Sequence, residues 1–108
     1  MHSTLIVARM APESGAEVAE LFGAFDKTEM PGLMGTRRRQ LFHYKGLYFH
    51  LQDFADDHGG EAIEQAKTHP LFVRVSDDLR AHITAYDPAT WRSPSDAMAT
   101  RFYHWSTE

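Results

Sequence analysis

Cysteine is absent from the 108-residue chain, which removes disulfides, thiolate nucleophiles and thiolate metal sites together. No stretch approaches the roughly 20 apolar residues of a membrane span. The first residues, Met1 to Met10, lack a cationic lead-in to a long apolar run, so no signal peptide is visible. Positive charge is scarce as well: 11 Lys and Arg stand against 15 Asp and Glu, a net −4, and no basic block exceeds Arg37-Arg38-Arg39. Neutralising a phosphate backbone takes a broad cationic surface, so neither nucleic acid nor membrane is an expected partner. Internal repeats and low-complexity tracts are missing too. What is present, 43% apolar and 24% charged residues, is the balance of a soluble globular protein whose default address is the cytoplasm. The length predicts a single domain over residues 1–108. A domain this small leaves much apolar surface in water, which favours self-association.

The punctuation of the chain gives its elements. Thr4 to Met10 is a β-branched, apolar run and reads as a buried strand. Ser14 and Glu17 have the spacing of a capping box, and Val18, Leu21, Phe22 and Phe25 repeat at helical intervals, predicting a helix over 14–26. Met30-Pro31-Gly32 reads as a turn. Thr36 to Tyr44 and Leu47 to Phe54 form a predicted hairpin about Lys45-Gly46. Asp56 to Gly60 is a polar loop and Glu61 to Lys67 a short helix. Thr68-His69-Pro70 opens another helix, with Leu71, Phe72, Val75, Leu79, His82 and Ile83 on one face. The alternating aromatics of Ala99 to Ser106 read as the last strand. The order β-α-β-β-α-β predicts a ferredoxin-like α+β fold, a four-stranded antiparallel sheet with helices on one face.

With a two-residue turn, the hairpin sorts its side chains. Arg37, Arg39, Leu41, His43, Tyr48, His50 and Gln52 share one face; Arg38, Gln40, Phe42, Tyr44, Leu47, Phe49 and Leu51 share the other. Either the polar set faces solvent, or it lines a pocket beneath the helices while the apolar set meets a partner. The usual antiparallel rule favours the first arrangement. Each polar residue also has a plainer reading: a strand histidine is commonly just satisfied or exposed, and an arginine triplet is commonly a solvated charge run. His43 and His50 sit diagonally on one face, where His104 or an acid would be the third ligand of a metal set, but no dense ligand motif accompanies them.

Five segments in order resemble the TcmI-type cyclases of actinobacterial aromatic polyketide pathways. They are Asp26-Lys27-Thr28-Glu29-Met30-Pro31, Gly35-Thr36-Arg37-Arg38-Arg39, Leu47-Tyr48-Phe49-His50-Leu51, Thr68 to Phe72, and Phe102-Tyr103-His104-Trp105. The resemblance covers nearly the whole chain and reverses the preference above. It implies a dimeric α+β barrel with a pocket in each subunit between sheet and helices. It further implies an intramolecular aldol condensation with dehydration that closes a late ring of a multi-ring polyketide, with no metal or organic cofactor. By this resemblance Asp26, Arg39 and His50 are the catalytic candidates. His50 is a proton shuttle by virtue of an imidazole that titrates near neutrality, Arg39 an oxygen-binding fork, and Asp26 an aid to orientation or proton transfer. Phe25, Arg37, His43, Tyr48 and Gln52 are the substrate-binding candidates. The expected partners are a polyketide intermediate and a second copy of the chain, with room for transient contact with the polyketide synthase or acyl carrier protein. One departure is Phe25, where the best-known member has a histidine before the aspartate. A cofactor-independent, quinone-forming monooxygenase of the same fold and a non-catalytic polyketide-binding subunit are the alternative readings.

Overall fold

A computed structural model of the chain describes residues 2–92 and 94–107, the side chain of Ser95 excepted. Strand β1 (His2–Met10) lies centrally, paired antiparallel with β3 (Leu47–Phe54) on one side and with the short β4 (Ile83–Ala85) on the other. Strand β2 (Thr36–Tyr44) adds to β3, giving the order β2-β3-β1-β4. This is the ferredoxin-like arrangement expected, with helices α1 (Gly15–Phe25), α2 (Met30–Met34), α3 (Gly59–Ala66) and α4 (Pro70–Leu79) in the connections.

The hairpin follows its turn chemistry. Lys45 and Gly46 take φ of 48° and 80°, the pair of positive values that a two-residue turn matched to strand twist requires. Tyr44 therefore faces Leu47, and His43–Tyr48, Leu41–His50 and Arg39–Gln52 face one another as predicted. The register breaks between Thr36 and Arg38. The extra residue is Arg37, which the bulge leaves exposed. Thr36, not Arg37, then completes the polar row, its hydroxyl accepting from Gln52 Nε2 at 3.1 Å.

The alternation of β1 turns Ile6, Ala8 and Met10 toward the helices, where they meet Val18, Phe22 and Phe25 of α1, Ile63 of α3 and Val75 of α4 in one core. Each large apolar side chain withdrawn from water here contributes roughly 1.5–3 kcal/mol. Phe54 is fully buried in the same cluster and lies against Gly59, where a Cβ would strike its ring. The opposite sheet face carries Phe42 and Tyr44, both exposed, with Leu47, Phe49 and Leu51 half-buried.

Four local expectations change. The Ser14–Glu17 spacing does not close a capping box. Ser14 Oγ lies 3.2 Å from Nδ1 of His82 and Glu17 Oε2 lies 3.1 Å from its Nε2, so both are turned to an imidazole beyond α4. Met30-Pro31-Gly32 opens the short helix α2, which Gly35 stops in the left-handed region with φ of 75°. Helix α4 begins at the predicted place, with His69 Nδ1 accepting from the Leu71 amide at 3.1 Å. It ends at Leu79, so His82 lies beyond it and Ile83 opens β4. Lastly, the fourth strand is not Ala99 to Ser106. Residues 99–107 have no regular structure, and Phe102, Tyr103 and Trp105 are 96%, 74% and 70% exposed. Met98 bridges to the sheet at Ile6, and the Ala99 amide donates to the Leu5 carbonyl at 2.7 Å.

Candidate active site

Between the sheet and the helices lies a cavity of about 560 Å³, within the range of small-molecule sites. Its floor is the polar row of the hairpin: Arg39 from β2 with Tyr48, His50 and Gln52 from β3. Apolar walls come from Ile6, Phe22, Phe25, Ile63, Phe72 and Val75. The polar set thus lies beneath the helices, against the usual antiparallel rule.

Arg39 organises this floor. Its side chain is only 7% exposed, and its guanidinium sits 5.0 Å from the ring centre of Phe22 and 5.6 Å from that of Phe25, at cation–π distance. Asp26, the cap that follows α1, accepts the single Nε hydrogen across both its oxygens at 3.1 Å and one Nη2 hydrogen at 2.8 Å. Nη1 donates to Gln52 Oε1 at 2.6 Å and to His50 Nε2 at 2.8 Å. A guanidinium carries five N–H groups and accepts nothing. One Nη2 hydrogen therefore remains for a guest, and His50 must accept, placing its own proton on Nδ1.

That geometry changes the reading of His50. The ring is 7% exposed and packs edge-on against Phe22 at 5.1 Å. Burial, reinforced by the Arg39 charge, pushes its pKa down from 6.5 to about 3. In this arrangement the imidazole is a weak base whose lone pair is engaged by Arg39. Tyr48, 3% exposed, stacks edge-on to His50 at 6.2 Å. Burial pushes its hydroxyl above the usual phenol range, against the opposing Arg39 charge, so it stays a neutral donor. No hydrogen bond from that hydroxyl occurs among the described residues.

The structure thus brings Asp26, Arg39, His50, Gln52, Tyr48 and Phe25 together and leaves two candidates out. Arg37 is displaced by the bulge. His43 faces the right side but sits next to the turn, beyond the cover of the helices, and is exposed. Among the described residues no three His, Asp or Glu side chains group as metal ligands, so His43, His50 and His104 do not converge. Sequence reasoning missed Thr36, Trp91 and the cavity-lining cations Lys67, Arg80 and Arg92. Thr36 was hidden by the bulge. Trp91 and Arg92 lie in the connection after β4, where no periodicity fixes a side chain's direction.

Residues 2–106 match the family described as polyketide synthesis cyclase. The chain belongs to that family. It is 42% identical over 108 residues to polyketide synthase CurG of Streptomyces cyaneus, covering both chains fully. It is 39% identical over 105 residues to tetracenomycin F2 cyclase of Streptomyces glaucescens, covering 97% of this chain and 94% of the relative. An uncharacterised protein of Streptomyces coelicolor shares 47% over 106 residues, 97% and 95% of the two chains. The solved structure of tetracenomycin F2 cyclase, described as a type-II polyketide cyclase, superposes over the full length of both chains with a TM-score of 0.91 at 37% identity. An antibiotic biosynthesis monooxygenase superposes over 77% of this chain and 86% of its own with a TM-score of 0.52 at 20% identity, a likeness of fold. This member of the cyclase family has no helix, among the described residues, long and apolar enough to cross a membrane.

Proposed function

We propose that the protein closes a ring of a partly cyclised aromatic polyketide by intramolecular aldol condensation followed by loss of water. The observation that carries this reading is the buried Arg39 fork at the floor of an apolar cavity of about 560 Å³. A methylene between two carbonyls is already acidic, and what limits its reaction is stabilising the enolate and the alkoxide that follows. A guanidinium in a desolvated site does both. Arg39 binds the developing oxyanion through its remaining Nη2 hydrogen and by exchanging contacts with Gln52. Asp26 and His50 set the plane of the fork, and Tyr48 donates to a second ketone or phenol oxygen.

Cavity shape supplies the rest. A flexible polyketide has many wrong aldol partners, and holding the right pair in contact is worth up to roughly 7–11 kcal/mol. Phe22 and Phe25 give flat surfaces for fused rings. With Phe25 where the best-known family member has histidine, that position acts through shape and no proton passes through it. No resident metal or organic cofactor enters the scheme.

A homodimer in the cytoplasm is part of the reading. The apolar sheet face with Phe42 and Tyr44, and the aromatic tail of Phe102, Tyr103 and Trp105, support burial against a second copy. Contact with the synthase or acyl carrier protein is transient in this scheme. The test is incubation with a partly cyclised polyketide followed by mass spectrometry. Accelerated loss of one water is expected; gain of an oxygen, or no change over the uncatalysed rate, contradicts the reading.

A further inference from the structure

Gln52 lies at the floor of the cavity with 2% of its surface exposed, so bulk water does not complete its hydrogen bonds. Its carboxamide meets a different partner at each end. Oε1 accepts from Arg39 Nη1 at 2.6 Å, and Nε2 donates to Thr36 Oγ1 at 3.1 Å. Turned over, the amide would set its NH2 group against a guanidinium that accepts nothing. The contacts at its two ends therefore key it to one orientation.

Thr36 reaches this place through two local devices. Gly35, at φ of 75°, turns the chain out of α2, and its carbonyl accepts from the Ala55 amide at 3.0 Å, which ties the start of β2 to the end of β3. The bulge at Arg37 then shifts the alternation of β2, so that Thr36 and Arg39, three residues apart, share the cavity face. An unbroken strand would place Arg37 there instead. Gln52 Nε2 would then face a second guanidinium, which has no lone pair to offer, and two cations would crowd one amide. The irregularity exchanges a cation for an acceptor.

We infer that Thr36 is a positioning residue for the ring closure: its hydroxyl, brought to the cavity face by the bulge, fixes the Gln52 carboxamide with its oxygen on Arg39, and thereby fixes Arg39. This rests on the function proposed above and adds a residue to it. Arg39 is anchored by Asp26 at Nε and Nη2, and by Gln52 and His50 at Nη1. Asp26 is 38% exposed and shares its oxygens with water, whereas Gln52 is dry. Without the Thr36 acceptor, Nε2 is a buried donor lacking a partner, and the amide relieves that cost by turning away from Arg39. The fork then has to reorganise as charge develops on the substrate oxygen, which a preorganised site avoids. Thr36 does not itself line the cavity, so its loss acts on the reaction step and not on the fit of the substrate.

Two readouts test this. In steady-state kinetics on a partly cyclised polyketide, Thr36→Val keeps the shape, removes the acceptor, and is expected to lower kcat about tenfold with KM within about twofold. Thr36→Ser restores the hydroxyl and is expected to keep about half of kcat or more. Because Thr36 acts through Gln52, Thr36→Val is expected to cost nothing further in a Gln52→Leu background. Side-chain NMR needs no substrate, so it separates failure of this inference from failure of the cyclase reading. The two Nη1 hydrogens of Arg39 are expected to be distinct in the wild type and in Thr36→Ser, and averaged by rotation in Thr36→Val. Thr36→Ala replaces the valine variant in every comparison if the latter does not fold. An Arg39 spectrum unchanged by removal of the hydroxyl overturns the inference. So does a loss of kcat that serine does not recover, or one equally large without Gln52. If no polyketide turns over, the spectrum alone decides.

Discussion

Nη1 of Arg39 stands 2.8 Å from Nε2 of His50, two basic groups in direct contact inside an apolar cavity. The contact requires the imidazole to be neutral and to accept. The division of labour proposed above, in which the histidine fixes the arginine and the arginine meets the substrate, follows from this contact.

Replacing Arg39 tests that division first. Arg39→Gln is expected to lower kcat/KM by on the order of 10²–10³, the usual cost of removing an oxyanion donor. Arg39→Lys is expected to recover only part of this, since a point charge cannot reproduce the fork. Asp26 is 38% exposed, so its pairing adds little stability. Asp26→Asn is therefore expected to lower kcat/KM by about tenfold, through the fork's orientation, while Tm hardly moves. Steady-state kinetics beside thermal melts checks both.

His50 ties stability to acidity. Its pKa falls from 6.5 in the unfolded chain to about 3 when folded. Between those values the unfolded state binds the extra proton, so stability is full above about pH 6.5 and falls as the pH drops toward 3, by up to about 1.4 kcal/mol per pH unit from this group. Urea unfolding at a series of pH values is expected to show this slope in the wild type and a shallower one in His50→Gln. Activity is expected to show no His50 inflection between pH 6 and 8.

Tyr48 offers the opposite balance of function and stability. Its hydroxyl has no partner among the described residues, while its ring is part of the core. Tyr48→Phe is expected to leave Tm unchanged or slightly raised and to lower kcat/KM about tenfold, the worth of one hydrogen bond to substrate. A matched fall in Tm and activity would make Tyr48 a packing residue alone.

Gly59 is the most sterically constrained of the glycines. A Cβ there meets the buried Phe54 ring directly. Gly59→Ala is expected to destabilise by about 1–3 kcal/mol through overpacking, read as a lower urea midpoint.

Legibility in the sequence followed turn chemistry and periodicity. Lys45-Gly46 set the hairpin register, and with it the shared face of Arg39, Tyr48, His50 and Gln52. Helix α1 was readable from Val18, Leu21, Phe22 and Phe25. Three residues, Ile83 to Ala85, are too few to show alternation, so β4 was missed, and the alternating aromatics of the tail drew the last strand to the wrong place. Arg37 was misplaced because a bulge leaves no mark in residue types. The titration of His50 was misread for a further reason: a pKa depends on burial and on the charge opposite, and neither exists until the chain folds.

The central claim is that Arg39 stabilises an enolate oxygen inside the cavity. The most direct measurement is the spectrophotometric pKa of an enolisable aromatic β-diketone bound to the protein. The account predicts that binding lowers the ligand's pKa by about one pH unit or more, and that Arg39→Gln returns it to the free value. A bound pKa equal to the free value in the wild type, or a lowering that persists without Arg39, would contradict it.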